Sequence, residues 1–328
     1  MDRSKRRARF LTKCGWNNAI SKTLAADASF RRYYRLESCG ERVVLMDAPP
    51  SQEDVRRFVA VAQHLLNLGL SAPKILGQDA VGGFLLIEDL GDKKFNDLLH
   101  TTDDEEPFYQ RAIDVLCALH EAVPPAWLAP YDEKLLLTEA DFLIDWYWPA
   151  VTGDSVSNPT REAYHNAWAE VISNVDLDPS VTVLRDYHAD NLMWLPNRDG
   201  VAAIGLLDFQ DALVGSPAYD IVSLLEDARR DVSDDLAEKM IKRYVRRRNI
   251  DSFSFRRAYS VLGAQRNSKI VGIFTRLWKR DGKATYLELI PRVWRLLEQD
   301  LNQPILAPVR VWFDRYLPKR LRLQPERS

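Results

Sequence analysis

Cysteine is nearly absent from this chain: Cys14, Cys39 and Cys117 are its 3, and they stand far apart. They can build neither a disulfide framework nor a Cys-based zinc site, which fits a reducing compartment. Long apolar runs are also missing. Nothing approaches the roughly 20 apolar residues of a membrane helix, so no span and no membrane partner are expected. Neither sign of charge is in excess, since 45 Lys+Arg stand against 47 Asp+Glu for a net charge of -2. Such a balance offers no basic footprint for nucleic acid. The opening MDRSKRRARF is basic, but Lys13 and two Asn interrupt the stretch after it. A secretory leader is therefore rejected. That tip and the tail PKRLRLQPERS are expected to be solvated, frayed ends. What is present is 46% hydrophobic residues in 328, enough for one large or two unequal packed lobes.

No convincing internal repeat appears along the chain. Arg32–Glu37 and Arg42–Met46 are β-rich runs joined by Ser38-Cys39-Gly40-Glu41, a hairpin signal. Ser51 with Asp54 reads as a capping-box-like start, followed by Val55, Phe58, Val59, Ala62, Leu65 and Leu66 at helical spacing and Gly69 as the stop. Further strands fall near Pro73–Leu76 and Phe84–Ile87, and Glu88–Asp92 forms a polar link. Beyond Gly91 the pattern is mostly helical, with a β island around Val181–Leu207. The order predicts an α+β, two-lobe plan, with a β-rich lobe over 1–90 and a mainly helical lobe over 91–328. Clefts between lobes are favoured ligand sites.

One stretch stands out, Val183–Leu195, VLRDYHADNLMWL. It sets two Asp, a His and an Asn between two apolar runs, and buried polar groups cost free energy unless they serve something. Asp208 follows in LLDFQD, at the end of Ile204–Leu207. Pairing of the neighbouring strands would bring Asn191 and Asp208 to one end of a hairpin, an oxygen-ligand set for Mg²⁺. Asp186 is then left over to deprotonate or orient a hydroxyl. One base, a carboxylate–amide metal clamp and a nearby nucleotide are what phosphoryl transfer needs. A lone Asp-x₄-Asn would instead read as turn capping, but LLDFQD at this distance favours the catalytic reading.

The array Asp186-x₄-Asn191 followed by Leu207-Asp208-Phe209 resembles the aminoglycoside phosphotransferase and choline kinase group, whose pattern is H-G-D-L-H-x-x-N, then I-D-F/W. The longer match, LRDYHADNLMWLP and GLLDFQDALVGSPAYDIVSLLEDARRD together with MDAPP and GAQRNSKIVGIF, is similar to the bacterial anomeric kinases of N-acetylmuramate and N-acetylglucosamine that serve cell-wall recycling. The resemblance covers most of the chain. It implies a protein-kinase-like fold, ATP and Mg²⁺ as cofactors, and transfer to the sugar's C1 hydroxyl. Nothing in spacing or periodicity shows the sugar. By position, the resemblance makes Asp186 the catalytic base and Asn191 and Asp208 the Mg²⁺ ligands. It makes Asp220 a buried anchor of the catalytic loop. His188 stands as the loop's structural imidazole, with a direct catalytic part equally open. Asp190 could touch substrate or a second metal, or be a solvated loop acid like Asp211.

The chain departs from the family in two places. Leu184-Arg185 replaces His-Gly ahead of Asp186, and the strand Arg42–Met46 ends in Met46-Asp47 where a phosphate-pairing Lys is expected. Arg31, Arg32 and Arg35 are the nearby substitutes, and Glu53, without such a Lys, reads as a surface acid. The nucleotide loop should lie at Ala25–Tyr33, where Ser29, Phe30, Arg31 and Arg32 could approach phosphates although no glycine is present. The backbone of Glu88 and Leu90 could meet adenine's edge. For the sugar, Gln265, Arg266 and Lys269 at helical spacing could hold a carboxylate, and Trp146 and Tyr147 with Glu139 could face a pyranose. Each of these has a plainer reading as core aromatic, solvated helix face or ordinary loop. Two other functions compete with the sugar 1-kinase. One is phosphotransfer to another small hydroxyl acceptor, aminoglycoside- or choline-like. The other is a catalytically dead nucleotide-binding module. A protein-kinase acceptor is disfavoured, because DFQD stands where DFG would and no A-P-E segment follows. A cytoplasmic monomer is expected.

Overall fold

The computed structural model describes residues 2–24, 30–100 and 104–326. Its contacts divide it into two compact units, Met1–Leu119 with Ala189–Ala212, and His120–His188 with Leu213–Ser328. Among the described residues the strands are β1 Ile20–Thr23, β2 Arg32–Ser38, β3 Glu41–Asp47, β4 Ile75–Asp79, β5 Phe84–Glu88, β6 Val181–Val183, β7 Leu192–Trp194, β8 Ile204–Leu206 and β9 Leu213–Gly215. The units cut the chain differently from a division at residue 90. The hairpin β7–β8 belongs with the first unit, where the Leu206 N–H donates to the Ser71 carbonyl (2.7 Å) and the Trp194 N–H to that of Lys93 (2.8 Å).

The first unit is built on one antiparallel sheet of order β1-β2-β3-β5-β4. β2 and β3 turn through Cys39 (φ 51°) and Gly40 (φ 82°). Two successive positive φ values make the primed turn whose twist matches the flanking strands, and glycine takes the second without a Cβ penalty. β3 is central, so Val43–Met46 are buried on both faces rather than alternating. The helix Val55–Asn67 buries Val55, Phe58, Val61, Ala62 and Leu65. Its cap is Asp54, whose carboxylate accepts from the Arg56 N–H; Ser51 lies outside it.

The basic tip is not frayed. Arg3–Lys13 is a helix, and the adjacent β1 was likewise absent from the sequence reading. Phe10 stacks on Phe84 at 5.9 Å, and the Arg3 Nε donates to Asp47 at 2.7 Å while its guanidinium lies 4.5 Å over the Phe84 ring. One aromatic and one cation dock a segment whose composition looked wholly solvated.

The second unit is mainly helical, with β6 and β9 paired antiparallel as its one described sheet. Its axis is the helix Ser252–Asp281, 30 residues long, whose polar cluster Gln265, Arg266, Asn267 and Ser268 is buried rather than solvated. The tail after Leu317 is held too. Arg322 pairs with Glu298 (3.1 Å) and Asp314 (2.7 Å), and the Leu323 N–H donates to the Tyr147 hydroxyl (2.8 Å). No helix among the described residues is long and apolar enough to cross a membrane.

The interior of this unit carries a carboxyl pair. The Asn267 Nδ2 donates to Glu226 (2.7 Å) and to Asp300 (3.2 Å), joining three helical segments. The Asp300 carboxylate lies against Gly263, where a Cβ would come within 2.8 Å of both its oxygens. Burial pushes Glu226 up to about 7 and raises Asp300 as well. A folded value above the ordinary 4.5 means that Glu226 contributes stability fully below that pH and loses it as pH rises through about 7. Relative to Glu226→Gln, the native chain is expected to lose stability as pH rises from about 4.5 to about 8. Urea unfolding of both proteins across that range checks this, and parallel stability curves would refute it.

Candidate active site

In the second unit the stretch bearing the candidate base begins as the turn after β6. The Asp220 carboxylate, fully buried, accepts the Leu184 N–H at 2.7 Å and the Arg185 N–H at 2.8 Å. Burial raises Asp220 to about 7, against the pull of those two N–H bonds. Arg185 sits at φ 72°, a strained value for a side chain of its size. The Asp186 N–H then donates to the Leu184 carbonyl (2.9 Å) and the His188 N–H to that of Asp186 (3.1 Å). This tight turn leaves Asp186 exposed, as a candidate acid for a substrate hydroxyl needs to be. His188 is buried, its Nε2 lies 3.4 Å from Arg229, and burial pushes the imidazole down to about 3. It is therefore neutral at neutral pH, which fits a structural part.

Sequence spacing did not reveal what holds Arg185. Its guanidinium pairs with Glu139, which also takes the Lys269 ammonium at 2.9 Å and the Tyr131 hydroxyl. The guanidinium lies 5.4 Å over the Tyr131 ring. Burial alone would lower Arg185, but Glu139, Tyr131 and Tyr219 hold it well above its ordinary value. Glu139 and Lys269, sugar candidates by sequence, thus join Arg185 in one largely buried charge cluster next to Asp186.

In the first unit, β7 and β8 pair with Leu192 opposite Leu206. The ladder continues as the Leu207 N–H donates to the Asn191 carbonyl at 2.9 Å, so Asn191 and Asp208 stand at one end of the hairpin. Asp208 takes φ 55°, again a strained value beside a candidate functional group. The Arg31 Nη2 donates to the Asp208 carboxylate at 2.9 Å, and its Nε lies 3.8 Å from Glu53. Gln210 bridges Asp208 (3.1 Å) and Asp211 (3.0 Å). Glu53 is thereby a partner of the N-terminal cation and not a lone surface acid. Burial alone would lower Arg31, but Tyr33, Asp208, Glu53 and Asp211 keep it above its ordinary value.

The residues fit a hard divalent cation. Asn191 and Asp208 supply oxygen donors, and a guanidinium already sits on the Asp208 carboxylate, so the spot attracts positive charge. Among the described residues no three His, Cys, Asp or Glu side chains form a metal set. Water and phosphate oxygens would have to complete the coordination, the usual way Mg²⁺ is held with nucleotides.

Other nucleotide candidates are placed unevenly. Ser29 lies outside the described residues. Phe30 is 61% exposed, and Arg32 is exposed at the start of β2. Arg35 is taken by Asp89 and Asp92, each at 2.6 Å, and so ties the link rather than facing phosphates. The Glu88 N–H already donates to the Lys74 carbonyl (2.9 Å), and its carboxylate takes Arg198. The Glu88 amide is thus unable to serve adenine, which leaves the Leu90 N–H and the carbonyls.

The sugar candidates lie mostly in the interior. Gln265 is 1% exposed and donates to the Leu136 carbonyl (2.8 Å), while Arg266 is 4% exposed and donates to the Ser223 hydroxyl (2.9 Å). These partners make both residues ties between helices, on the helix that is the interior axis of its unit. Tyr147 is interior too, with its hydroxyl bonded to the Leu321 carbonyl (2.6 Å) and its ring on Trp294. Trp146 beside it is half-buried, and Asp190 opens a short 3₁₀ turn, partly exposed.

Residues 21–258 match the phosphotransferase enzyme family known as APH. The chain is 37% identical to the N-acetylmuramate/N-acetylglucosamine kinase of Caulobacter vibrioides, covering 98% of each chain, and 37% identical to that of Pseudomonas aeruginosa over 89% and 88%. Among solved structures it is similar to the choline/ethanolamine kinase family protein from Mesorhizobium loti, with TM-score 0.62 and 14% identity over 94% of this chain and 99% of that one. It is also similar to the ADP-bound aminoglycoside phosphotransferase APH(2'')-Ib, with TM-score 0.60 and 14% identity over 90% and 97%. At such identity these structures show the fold, which is protein-kinase-like, β-rich at the N-terminal end and mostly helical beyond. With more than half of its length in the family match and whole-chain likeness to named kinases, the chain belongs to the APH phosphotransferase family.

Proposed function

We propose that this protein is an ATP- and Mg²⁺-dependent kinase of N-acetylmuramate and N-acetylglucosamine that phosphorylates the anomeric hydroxyl. The observation that carries the reading is the 37% identity to the Caulobacter vibrioides N-acetylmuramate/N-acetylglucosamine kinase along 98% of both chains. The placement of the polar residues supports it. Asp186 is exposed on a turn that Asp220 anchors, and Asn191 and Asp208 stand together at a hairpin end.

In this reading residues 1–90 carry the nucleotide, and 91–328 carry the chemistry and the sugar. Phe30, Arg31 and Arg32 attend the phosphates, and the Leu90 amide with the Glu88 carbonyl attends adenine. Asn191 and Asp208 hold Mg²⁺, which when bound neutralises charge on the phosphates. Asp186 orients the C1 hydroxyl and takes its proton. The sugar oxygen bonds to the γ-phosphorus, and the bond from that phosphorus to the β–γ bridging oxygen breaks. The products are ADP and a sugar 1-phosphate, the phosphate on the oxygen that would otherwise be the reducing end. The need for ATP places the reaction in the cytoplasm.

Incubation with ATP, Mg²⁺ and either sugar is expected to yield a sugar 1-phosphate, read by ³¹P NMR with coupling to the anomeric proton. A phosphate appearing on O6, or no product from either sugar, refutes the anomeric assignment. ADP release with an aminoglycoside or choline alone would move the acceptor class.

A further inference from the structure

The strand β3 ends in Met46 and Asp47, so the lysine that kinase-like chains place there to face phosphates is missing. Several cations near that strand are engaged elsewhere. Asp47 is held by Arg3, Arg35 by Asp89 and Asp92, and the Arg57 guanidinium donates to the Ala212 carbonyl at 3.2 Å. Arg32 opens β2 on the exposed side, opposite Asp47. Arg31 differs from all of these. It is 7% exposed and bonded to Asp208 itself, with Glu53 of the segment entering the Val55–Asn67 helix on its other side and Asp211 near by.

We propose that Arg31, seated by Glu53, is the phosphate-facing cation of this chain and that in the nucleotide-free protein it also covers the metal-ligand Asp208. The inference rests on the kinase reading above and deepens it. Glu53, Asp208 and Asp211 all act on this guanidinium, and a divalent cation would be drawn to the same acids. A cation arriving with a nucleotide competes for Asp208 and brings phosphate oxygens with it. The guanidinium then exchanges one anionic partner for another, and its planar fork matches phosphate oxygens as well as it matches a carboxylate. Glu53 holds the side chain near by through the exchange. The pair reproduces a lysine–glutamate partnership with a residue from the start of β2 instead of the end of β3. Sequence searches for a lysine in β3 miss it for that reason.

The two halves of the proposal move in opposite directions on one substitution. Arg31→Ala is expected to weaken Mg²⁺-ADP binding about 30-fold in calorimetry, the range of a charge-assisted contact. The same variant is expected to tighten Mn²⁺ binding in the absence of nucleotide about tenfold, read by electron paramagnetic resonance, because Asp208 is uncovered. Arg31→Lys keeps a buried cation and so guards against a folding defect. It is expected to fall between the native protein and Arg31→Ala in both measurements. Mg²⁺-ADP affinity unchanged within twofold in Arg31→Ala overturns the phosphate role, and unchanged Mn²⁺ affinity overturns the covering role. Failure of the native protein to bind Mg²⁺-ADP would instead overturn the kinase reading.

Discussion

Asp186→Asn is expected to lower turnover of the sugar about 1,000-fold, the middle of the range for a positioned general base. Nucleotide affinity should stay within about twofold of native, a margin well below the ~1.4 kcal/mol of a tenfold change. The exchange is nearly isosteric, and Asp186 is exposed, so the cost to the fold is small. The backbone bonds that shape the turn, from the Asp186 N–H to the Leu184 carbonyl and from the His188 N–H to the Asp186 carbonyl, do not involve the side chain. The phosphate and metal candidates Arg31, Asn191 and Asp208 belong to the other compact unit. Single-turnover assays with calorimetric Kd values separate the two effects. Native-like turnover would remove Asp186 from the base role, and a parallel collapse of nucleotide affinity would show a structural role instead.

The second large effect is one of stability. Glu139 pairs with both Arg185 and Lys269, its side chain is 7% exposed, and it also takes the Tyr131 hydroxyl. Glu139→Ala leaves two cations facing each other in the interior, and breaking a buried pair this way typically costs about 3–5 kcal/mol. Surface ion pairs such as Lys239–Asp235, with side chains 49% and 80% exposed, would lose about 0.5 kcal/mol or less on the same treatment. Denaturant unfolding of the two variants side by side is the measurement. The consequence for activity runs through Arg185, which the cluster holds at φ 72° directly before Asp186. Glu139→Gln, milder in charge, should therefore lower kcat while leaving nucleotide affinity unchanged. The combination Glu139→Leu with Arg185→Met should recover stability but not turnover, since apolar replacement of a buried pair is often neutral. A Glu139→Ala protein as stable as native would show the cluster to be open to water.

Much of the architecture was legible because local chemistry dictates it. The turn at Cys39-Gly40 needs positive φ, the Val55–Asn67 helix shows its apolar face at helical spacing, and Asn191 and Asp208 flank strands whose pairing follows from a short connection. The errors share a cause. By composition the basic N-terminal helix and the tail read as solvated ends, and Gln265 and Arg266 as a ligand-facing or solvated helix face, because their residues are charged or polar. Each is instead held by specific partners in the fold: Asp47 and Phe84 for Arg3, Asp314 and Glu298 for Arg322, Ser223 for Arg266. A charged residue's own neighbourhood says whether it prefers water, but not whether a counter-charge awaits it in the fold.

By itself the sequence determined the chemistry available to this protein: an exposed Asp on a loop, an amide and a carboxylate for a hard cation, and a strand without its lysine. Residue types and spacings settle such matters, since donor chemistry is intrinsic to the side chain and a hairpin's ends are close by construction. Only the tertiary structure decided which charges meet. Arg31 joins Asp208 across 177 positions and Arg185 joins Glu139 across 46. Coulomb pairing acts through space and leaves no periodicity along the chain, so the cation at Asp208 and the cluster behind Asp186 became visible only once the chain was folded.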